Sequence, residues 1–389
     1  MFHPWAPGAT FWLAKGTVLW NILAEYMRGV LLSAGYVEVK APIVFNKALW
    51  ETSGHWQHYR DNMFLLESEG EQMAMKAMNC PGHFLIFASE TRSYRDLPIR
   101  YHEQTPLHRN EASGVLSGLT RVRQFSQDDG HCFVMESQLG DEVERLLRLV
   151  QRVYGDFGLT PSMKLSTRPP DFMGTVETWN HAESELKRAL NNVCEQYVIN
   201  EGDGAFYGPK IDFDITDAIG RKWQCATIQL DYQMPERFDL TYVGSDNAEH
   251  RPVVIHRAIF GSFERFIALL LEHYAGAFPL WLAPVQAILL PIADRHLEYA
   301  ESVRQRLAAA GLRVTVDGRQ EKIGYKIREA QLQKVPYMLV IGDREASDGT
   351  LSVRRRVEGD IGSQRVDAFI EAALKEIREK GAPPQDRAA

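Results

Sequence analysis

Between His108 and His131 the sequence concentrates side chains that could handle a nucleotide. Arg109 and Glu111 close one extended segment, a loop containing Ser113, Gly114, Ser117 and Gly118 follows, and Arg121 and Phe125 enter a second segment. Such a hairpin offers guanidinium groups to phosphates, a carboxylate to an amino group and an aromatic face to a base. The plainer alternative is a surface hairpin laced with ion pairs. Other chemistries find no template here. There is no GxxxxGK[ST] phosphate loop and no HExxH. The run Gly202-Asp203-Gly204-Ala205-Phe206-Tyr207-Gly208 misses the dinucleotide spacing and lacks a βαβ context. His55 and His58 could share a helical face, but Gly54, Trp56 and Tyr59 predict a loop there, and no metal pair is expected.

The elements that must position these residues fall into two regions. A chain of 389 residues, 45% hydrophobic and 24% charged, is expected to form at least two globular domains with sizeable cores. Its apolar runs fall far short of the ~20 residues of a membrane span. The start Met1-Phe2-His3-Pro4-Trp5 has neither basic nor apolar signal character, which predicts a cytoplasmic protein with no membrane partner. Four cysteines (Cys80, Cys132, Cys194, Cys225) without a CxxC argue against a disulfide framework or zinc ribbon. The Pro-bracketed run from Phe278 to Pro284 marks a boundary, giving domains at 1–284 and 285–380 and a frayed tail at 381–389.

Residues 1–284 read as α+β with an antiparallel sheet. Helices are predicted near 17–33, 80–89 and 140–157, among extended segments at 38–44, 107–109, 124–133, 205–215, 222–230 and 239–243. Residues 285–380 alternate strand and helix: strands at 285–290, 312–316 and 337–341, helices at 294–310, 322–334 and 366–380. This predicts a small α/β domain with a largely parallel sheet. The net charge of −7 is unevenly shared, because 285–389 holds 18 Lys/Arg against 16 Asp/Glu. Its cluster Arg354-Arg355-Arg356 reads, from charge alone, as solvated surface.

Several longer runs go with the hairpin. They are the helix at 17–33 leading into Gly35-Tyr36-Val37-Glu38-Val39-Lys40-Ala41-Pro42, and Arg257-Ala258-Ile259-Phe260-Gly261-Ser262-Phe263-Glu264-Arg265-Phe266. Three more are Met78-Asn79-Cys80-Pro81-Gly82-His83, Gly204-Ala205-Phe206-Tyr207-Gly208-Pro209-Lys210 and Trp223-Gln224-Cys225-Ala226-Thr227-Ile228-Gln229-Leu230-Asp231. On these runs the chain resembles the threonyl-tRNA synthetases, class II aminoacyl-tRNA synthetases with three signature motifs, over about residues 12 to 380. The helix and its following strand resemble motif 1, the hairpin motif 2, and the run from Arg257 motif 3.

The resemblance implies a class II antiparallel sheet flanked by helices, a small α/β anticodon-binding domain, and a homodimer formed through motif 1. Its substrates would be ATP with Mg²⁺, L-threonine and tRNA(Thr). Arg109 would hold the α-phosphate and the amino-acid carboxylate, Glu111 would accept from the adenine amino group, and Phe125 would stack on adenine. Arg265 would cover the other ring face, with Arg121, Gln224 and Lys210 completing the nucleotide site. Cys80, His131 and His256 resemble the family's zinc ligands, one ion per subunit. Separations of 51 and 125 residues carry no local metal signature, and by themselves these residues read as a packed cysteine and two ordinary histidines. Three protein ligands leave positions for the amine and hydroxyl of threonine. Asp129 shares a strand face with His131 and could accept from the hydroxyl. Tyr207 and Gln127 would line the amino-group side.

By the same resemblance, His55 would face the terminal ribose of tRNA, either as a base titrating near neutrality or as a contact without proton transfer, supported by Gln229. Gln320, Lys322, Glu345 and Arg354 match base-reading positions, with Gln320 in place of a more usual Asn. Two departures stand out. Glu103-Gln104-Thr105-Pro106 is less apolar than its strand position predicts, and nothing corresponds to the family's N-terminal editing region, so serine is expected to leak onto tRNA. Two alternatives share these features: a threonine-activating paralogue in biosynthesis or inhibitor resistance, and a non-catalytic tRNA-binding regulator.

Overall fold

The computed structural model describes residues 1–194, 196–217 and 219–380. The tail expected at 381–389 lies outside the described residues. The chain divides into two compact units: one takes Met1–Phe11 and Ala24–Leu269, the other Trp12–Leu23 and the chain from Leu270 on. Helix α1 (Ala14–Ser33) contributes residues to both.

The first unit is organised by an eight-stranded sheet. In chain order its strands are β1 (Val37–Glu38), β2 (Ile99–Glu103), then β5 (Asp129–Val134) after a separate ribbon of β3 (Pro106–His108) and β4 (Gln124–Ser126). They continue with β6 (Ser162–Ser166), β7 (Val198–Asn200), β8 (Lys210–Thr216), β9 (Lys222–Asp231) and β10 (Val253–Ala258). The spatial order is β1-β2-β5-β10-β9-β8-β6-β7. The central pairings are antiparallel and each edge pairing is parallel. The α+β expectation holds.

Helices cover this sheet because their apolar residues recur at helical spacing. On α2 (Cys80–Ala88), Cys80, Phe84 and Phe87 pack against Tyr101, Phe133 and Val254 of the sheet. On α3 (Leu139–Asp156), Leu139, Val143, Leu146, Val150 and Val153 are buried, with Asp141 and Glu142 favourably placed in the first turn. An 18-residue helix, α4 (Val176–Val193), was not expected, although its buried Trp179, Ala182, Leu186, Ala189 and Leu190 follow a 3.6-residue period. Thr175 caps it by accepting from Thr178 N at 3.2 Å. The extended segment expected at 124–133 is two strands, β4 and β5, because the chain leaves the ribbon at Gln127 and enters the main sheet at Asp129. Motif 3 runs from β10 into α5 (Phe263–His273).

The second unit holds a five-stranded sheet of β11 (Ala287–Pro291), β12 (Val314–Val316), β13 (Tyr337–Ile341), β14 (Thr350–Arg355) and β15 (Gly359–Arg365), ordered β12-β11-β13-β14-β15. Helices α6 (Leu297–Ala309), α7 (Ile323–Leu332) and α8 (Asp343–Asp348) join the strands, and α9 (Val366–Glu379) ends the unit. The expected parallel strands are present in β12, β11 and β13, but β14 and β15 add an antiparallel hairpin. Two glycines and mostly exposed polar residues deny β15 the apolar alternation that marks a strand. Arg355 is not free surface charge: its guanidinium lies over the Tyr337 ring and 2.7 Å from Glu376.

Candidate active site

Side chains opposite one another in a sheet share a face, and register therefore decides which residues meet. Tyr101 pairs with His131, His131 with His256, His256 with Gln229 and Gln229 with Lys210, making one row across β2, β5, β10, β9 and β8. Asp129 and Phe133 share the His131 face by the two-residue strand period. That face borders a cavity of about 530 Å³.

Fourteen of the expected residues line this single cavity. His55, Cys80, Gln127, Asp129, His131, Tyr207, Gln229 and His256 are among them. Arg109, Glu111, Arg121, Phe125, Gln224 and Arg265 are the others. Lys210 stands outside the lining, with its ammonium 2.9 Å from Asp212, whose other oxygen accepts from Gln224 and Thr227. The cavity is also lined by Tyr59, Thr120, Phe206 and Thr227, to which the sequence reading assigned no role although Phe206 and Thr227 stand in two of its runs.

At one end of the cavity, Arg109 lies over the Phe125 ring at 4.9 Å and near Tyr59 at 5.8 Å, and donates through Nε to Ala77 O at 3.2 Å. Glu111 pairs with Arg121 at 2.9 Å. Arg265 donates to Thr120 O at 3.0 Å and to Gln224 O at 2.7 Å, tying α5 to the hairpin and to β9. Burial pulls its pKa below the usual guanidinium value, yet it keeps its charge at neutral pH. Gly261 makes the bend into α5, with φ +75° and a Cβ position only 2.6 Å from Cys225 O, so glycine is required. Buried Asp128 holds the same bend by accepting from Ile259 N and Phe260 N, each at 2.8 Å.

Glu264, at the start of α5, is buried and accepts from Ser126 N at 3.0 Å. Burial raises its pKa from 4.5 to about 7. The folded state then binds this proton more tightly than the unfolded state, so stability is full below the unfolded value and falls as pH rises through the folded one. Glu264→Gln keeps an acceptor for Ser126 and is expected to flatten that decline, gaining at most about 3 kcal/mol above neutrality. Melting temperatures of the two proteins should diverge between pH 5 and pH 8; parallel curves would refute the assignment.

The other end holds Cys80, His131 and His256, all buried, with candidate ligand atoms within 4.8 Å of one another. The donor set suits a divalent ion. Burial keeps His131 neutral, with His256 and His83 adding to the shift. It also pushes the Cys80 thiol up, as do the charges of Asp129 and Asp231, so the thiolate needs a cation beside it. Asp231 accepts from His256 Nε2 at 2.8 Å, which leaves Nδ1 of that ring for a ligand bond. Asp129 accepts from Asn79 Nδ2 at 2.9 Å through one oxygen, and its other oxygen has no hydrogen-bond partner among the described residues.

His55 begins a four-residue helix, His55–His58, with Gly54 at φ +81° in the cap position, so the loop expected there is a helical turn. Ser53 donates to Trp50 O and so accepts from His55 Nδ1–H at 2.7 Å, leaving Nε2 unpartnered. Burial lowers the His55 pKa to about 3, with His256 and Arg109 contributing. The expectation of an imidazole titrating near neutrality is therefore corrected: in this setting it is neutral.

In the second unit, a cavity of about 400 Å³ lies past the carboxyl ends of β11 and β12, lined by Asp294, Arg319, Gln320 and Lys322 among others. Lys326 donates to Pro291 O at 2.9 Å and Asp317 O at 3.0 Å, pinning those strand ends. Of the four expected base-reading residues only Gln320 and Lys322 line it. Glu345 accepts from Gly342 N at 3.0 Å, and Arg354 lies 3.4 Å from Asp360.

The first unit is thus an antiparallel sheet whose one face borders a cavity lined by three arginines, Arg109, Arg121 and Arg265, and a separate α/β unit follows it in the chain. The tRNA synthetase class II core domain (G, H, P, S and T) family matches residues 64–274, and the anticodon binding domain family matches residues 286–380. The chain belongs to the class II tRNA synthetase family. It is 56% identical over 378 residues to a threonine–tRNA ligase of Myxococcus xanthus, covering 96% of this chain and 59% of that protein. It is 55% identical over 379 residues to a threonine–tRNA ligase of Symbiobacterium thermophilum, covering 97% and 58%. The chain thus spans somewhat over half the length of these curated relatives. The crystal structure of the RNA binding domain of threonyl-tRNA synthetase from Cryptosporidium parvum Iowa II superposes with TM-score 0.94 and 44% identity, covering 99% of this chain and 96% of that one. No described helix is long and apolar enough to cross a membrane.

Proposed function

We propose that the chain is a threonine–tRNA ligase, forming threonyl-adenylate from L-threonine and ATP and transferring the threonyl group to the 3′ end of tRNA(Thr). The observation that carries this reading is the meeting, in one cavity of about 530 Å³, of the Arg109–Phe125–Arg265 end with the Cys80–His131–His256 end. The reaction needs both: phosphates at one end and the amino acid at the other.

In activation the threonine carboxylate, already ionised, attacks the α-phosphorus and pyrophosphate leaves. No general base is needed, so rate comes from orientation and from positive charge fixed around the phosphates. Arg109 bridges the α-phosphate and the attacking carboxylate. Phe125 and Arg265 take the two faces of adenine, Arg265 and Arg121 meet the outer phosphates, and Glu111 accepts from the adenine amino group. Gln224 borders this site directly, and Lys210 supports it through Asp212. Mg²⁺ arrives with ATP.

Cys80, His131 and His256 would hold Zn²⁺. When bound, the ion supplies open positions for the amine and hydroxyl of threonine. Asp129 accepts from the hydroxyl with its unpartnered oxygen, while Tyr207 and Gln127 border the amine. In transfer, the unpartnered Nε2 of neutral His55 accepts from a ribose hydroxyl and orients it. The ribose oxygen attacks the threonyl carbonyl, the acyl–phosphate bond breaks, and the departing AMP phosphate, which gains basicity as it leaves, takes the proton. Gln229, bonded to Tyr207, steadies the same region.

Gln320, Lys322, Glu345 and Arg354 read the anticodon in this proposal. A homodimer forms through motif 1, whose Leu32 on α1 and Val37 on β1 are exposed apolar residues, with Ile43 and Val44 exposed just beyond it. The cytoplasm is the compartment in which such an enzyme would work.

Threonine-dependent ATP–pyrophosphate exchange followed by charging of tRNA(Thr) tests the proposal, and lack of exchange with threonine rejects it. His55→Ala is expected to keep exchange near the parental rate while charging falls ~10²-fold, the scale of lost orientation. Equal loss of both steps would remove His55 from transfer.

A further inference from the structure

We infer that Lys76, Glu103 and His83 form a buried relay that fixes the His131 proton on Nδ1 and so presents its Nε2 lone pair to Cys80 and His256. The inference rests on the zinc reading of that trio and assigns positioning residues that touch neither substrate nor ion.

Lys76, Glu103 and His83 are fully buried. Glu103 Oε1 accepts from Lys76 Nζ at 2.8 Å, from Ala41 N at 3.0 Å and from the Thr105 hydroxyl. Its Oε2 lies 3.2 Å from His83 Nε2. A carboxylate surrounded by donors can only accept, so His83 carries its proton on Nε2 and has a lone pair on Nδ1. That Nδ1 is 2.8 Å from Nδ1 of His131, and one of the two must donate. The donor is therefore His131 Nδ1–H. The rings meet edge to face, with centroids 4.7 Å apart at 90°, which directs this bond and fixes the tilt of the His131 ring.

A buried Lys–Glu pair is weak evidence for stability, since desolvation offsets its attraction. Its value here is directional. Lys76 and Glu103 orient His83, and His83 orients a ring whose second nitrogen faces the candidate ion, as outer partners of metal-bound histidines do. This also accounts for Glu103 and Thr105 in the polar run that its strand position did not predict.

The test uses the full chain, labelled with ¹⁵N in its histidine rings and stripped of metal by chelation. His131 should show a protonated Nδ1 and a bare Nε2, and His83 the reverse, with both rings assigned from signals perturbed in His83→Phe. A proton on His131 Nε2 overturns the inference. His83→Phe keeps the ring volume and leaves Glu103 its other donors, so the protein should fold. Its zinc affinity, measured by chelator competition, is expected to fall ~10–100-fold. Unchanged affinity would also overturn the relay. Glu103→Gln should weaken zinc similarly; if it does not fold, His83→Phe decides. A parent chain that binds no zinc rejects the zinc reading instead, and the ring-nitrogen pattern still decides the relay.

Discussion

Arg109→Ala and Arg265→Ala are each expected to reduce threonine-dependent ATP–pyrophosphate exchange by at least ~10²–10³-fold, the usual effect of removing one group that stabilises transition-state charge in a partly dry site. The Arg109 side chain lies over Phe125 and is anchored by one hydrogen bond, to Ala77 O. Its truncation therefore removes charge without undoing the hairpin. Arg265 ties Thr120 O to Gln224 O, and its loss forfeits two bonds from a charged donor at about 1.5 kcal/mol or more each, a cost to stability that is read separately from the catalytic effect. Lysine should rescue either position only in part, because an ammonium lacks the planar fork that spans two oxygens. A melting temperature near the parental value for Arg109→Ala, and one that stays well above the assay temperature for Arg265→Ala, together with lost exchange support the assignment. Near-parental exchange in either alanine variant removes that arginine from the nucleotide site.

Valine should be activated ~10⁴–10⁵-fold less efficiently than threonine, as measured by kcat/KM for exchange. The two amino acids are nearly the same shape, so volume cannot separate them. Hydrogen bonding can. Asp129 has one oxygen occupied by Asn79 and one without a partner, in a nearly buried position. Threonine supplies a hydroxyl to it; valine brings a methyl and leaves a buried carboxylate oxygen unpaired. Serine keeps the hydroxyl and lacks only a methyl, a difference of ~1–3 kcal/mol, so its activation should lie within ~10–200-fold of threonine. Asp129→Asn should shrink the threonine-to-valine ratio more than it shrinks the threonine-to-serine ratio. Valine activation comparable to that of serine would reject hydroxyl recognition by Asp129.

Local patterns carried much of the fold. The periodic segments at 17–33, 140–157 and 337–341 correspond to α1, α3 and β13 within a few residues. Their apolar spacing is a property of nearest neighbours along the chain. The hairpin that brings Arg109, Glu111, Arg121 and Phe125 together was legible for the same reason, since the strands that pair are adjacent in sequence. Misses arose where local signals were weak or outvoted. Strand β15 has glycines and polar residues in place of alternation. The turn at His55 was masked by Gly54, which serves as a left-handed cap. Helix α4 is legible in the period of Trp179, Ala182, Leu186, Ala189 and Leu190, and no cap residue stronger than Thr175 announces it.

Sequence by itself determined element types, the antiparallel character of the first unit and, through motif resemblance, the set of residues to examine. Only tertiary structure decided that Cys80, His131 and His256 meet, because a pairing register between β5 and β10 joins residues 125 positions apart. It also decided that Lys210 sits behind the cavity wall, that His55 is neutral and that Glu103 is buried. The physical reason is common to all four. Proton affinity, ligand geometry and access depend on which groups surround a side chain after the strands have paired, and the residues that supply those surroundings come from distant parts of the chain.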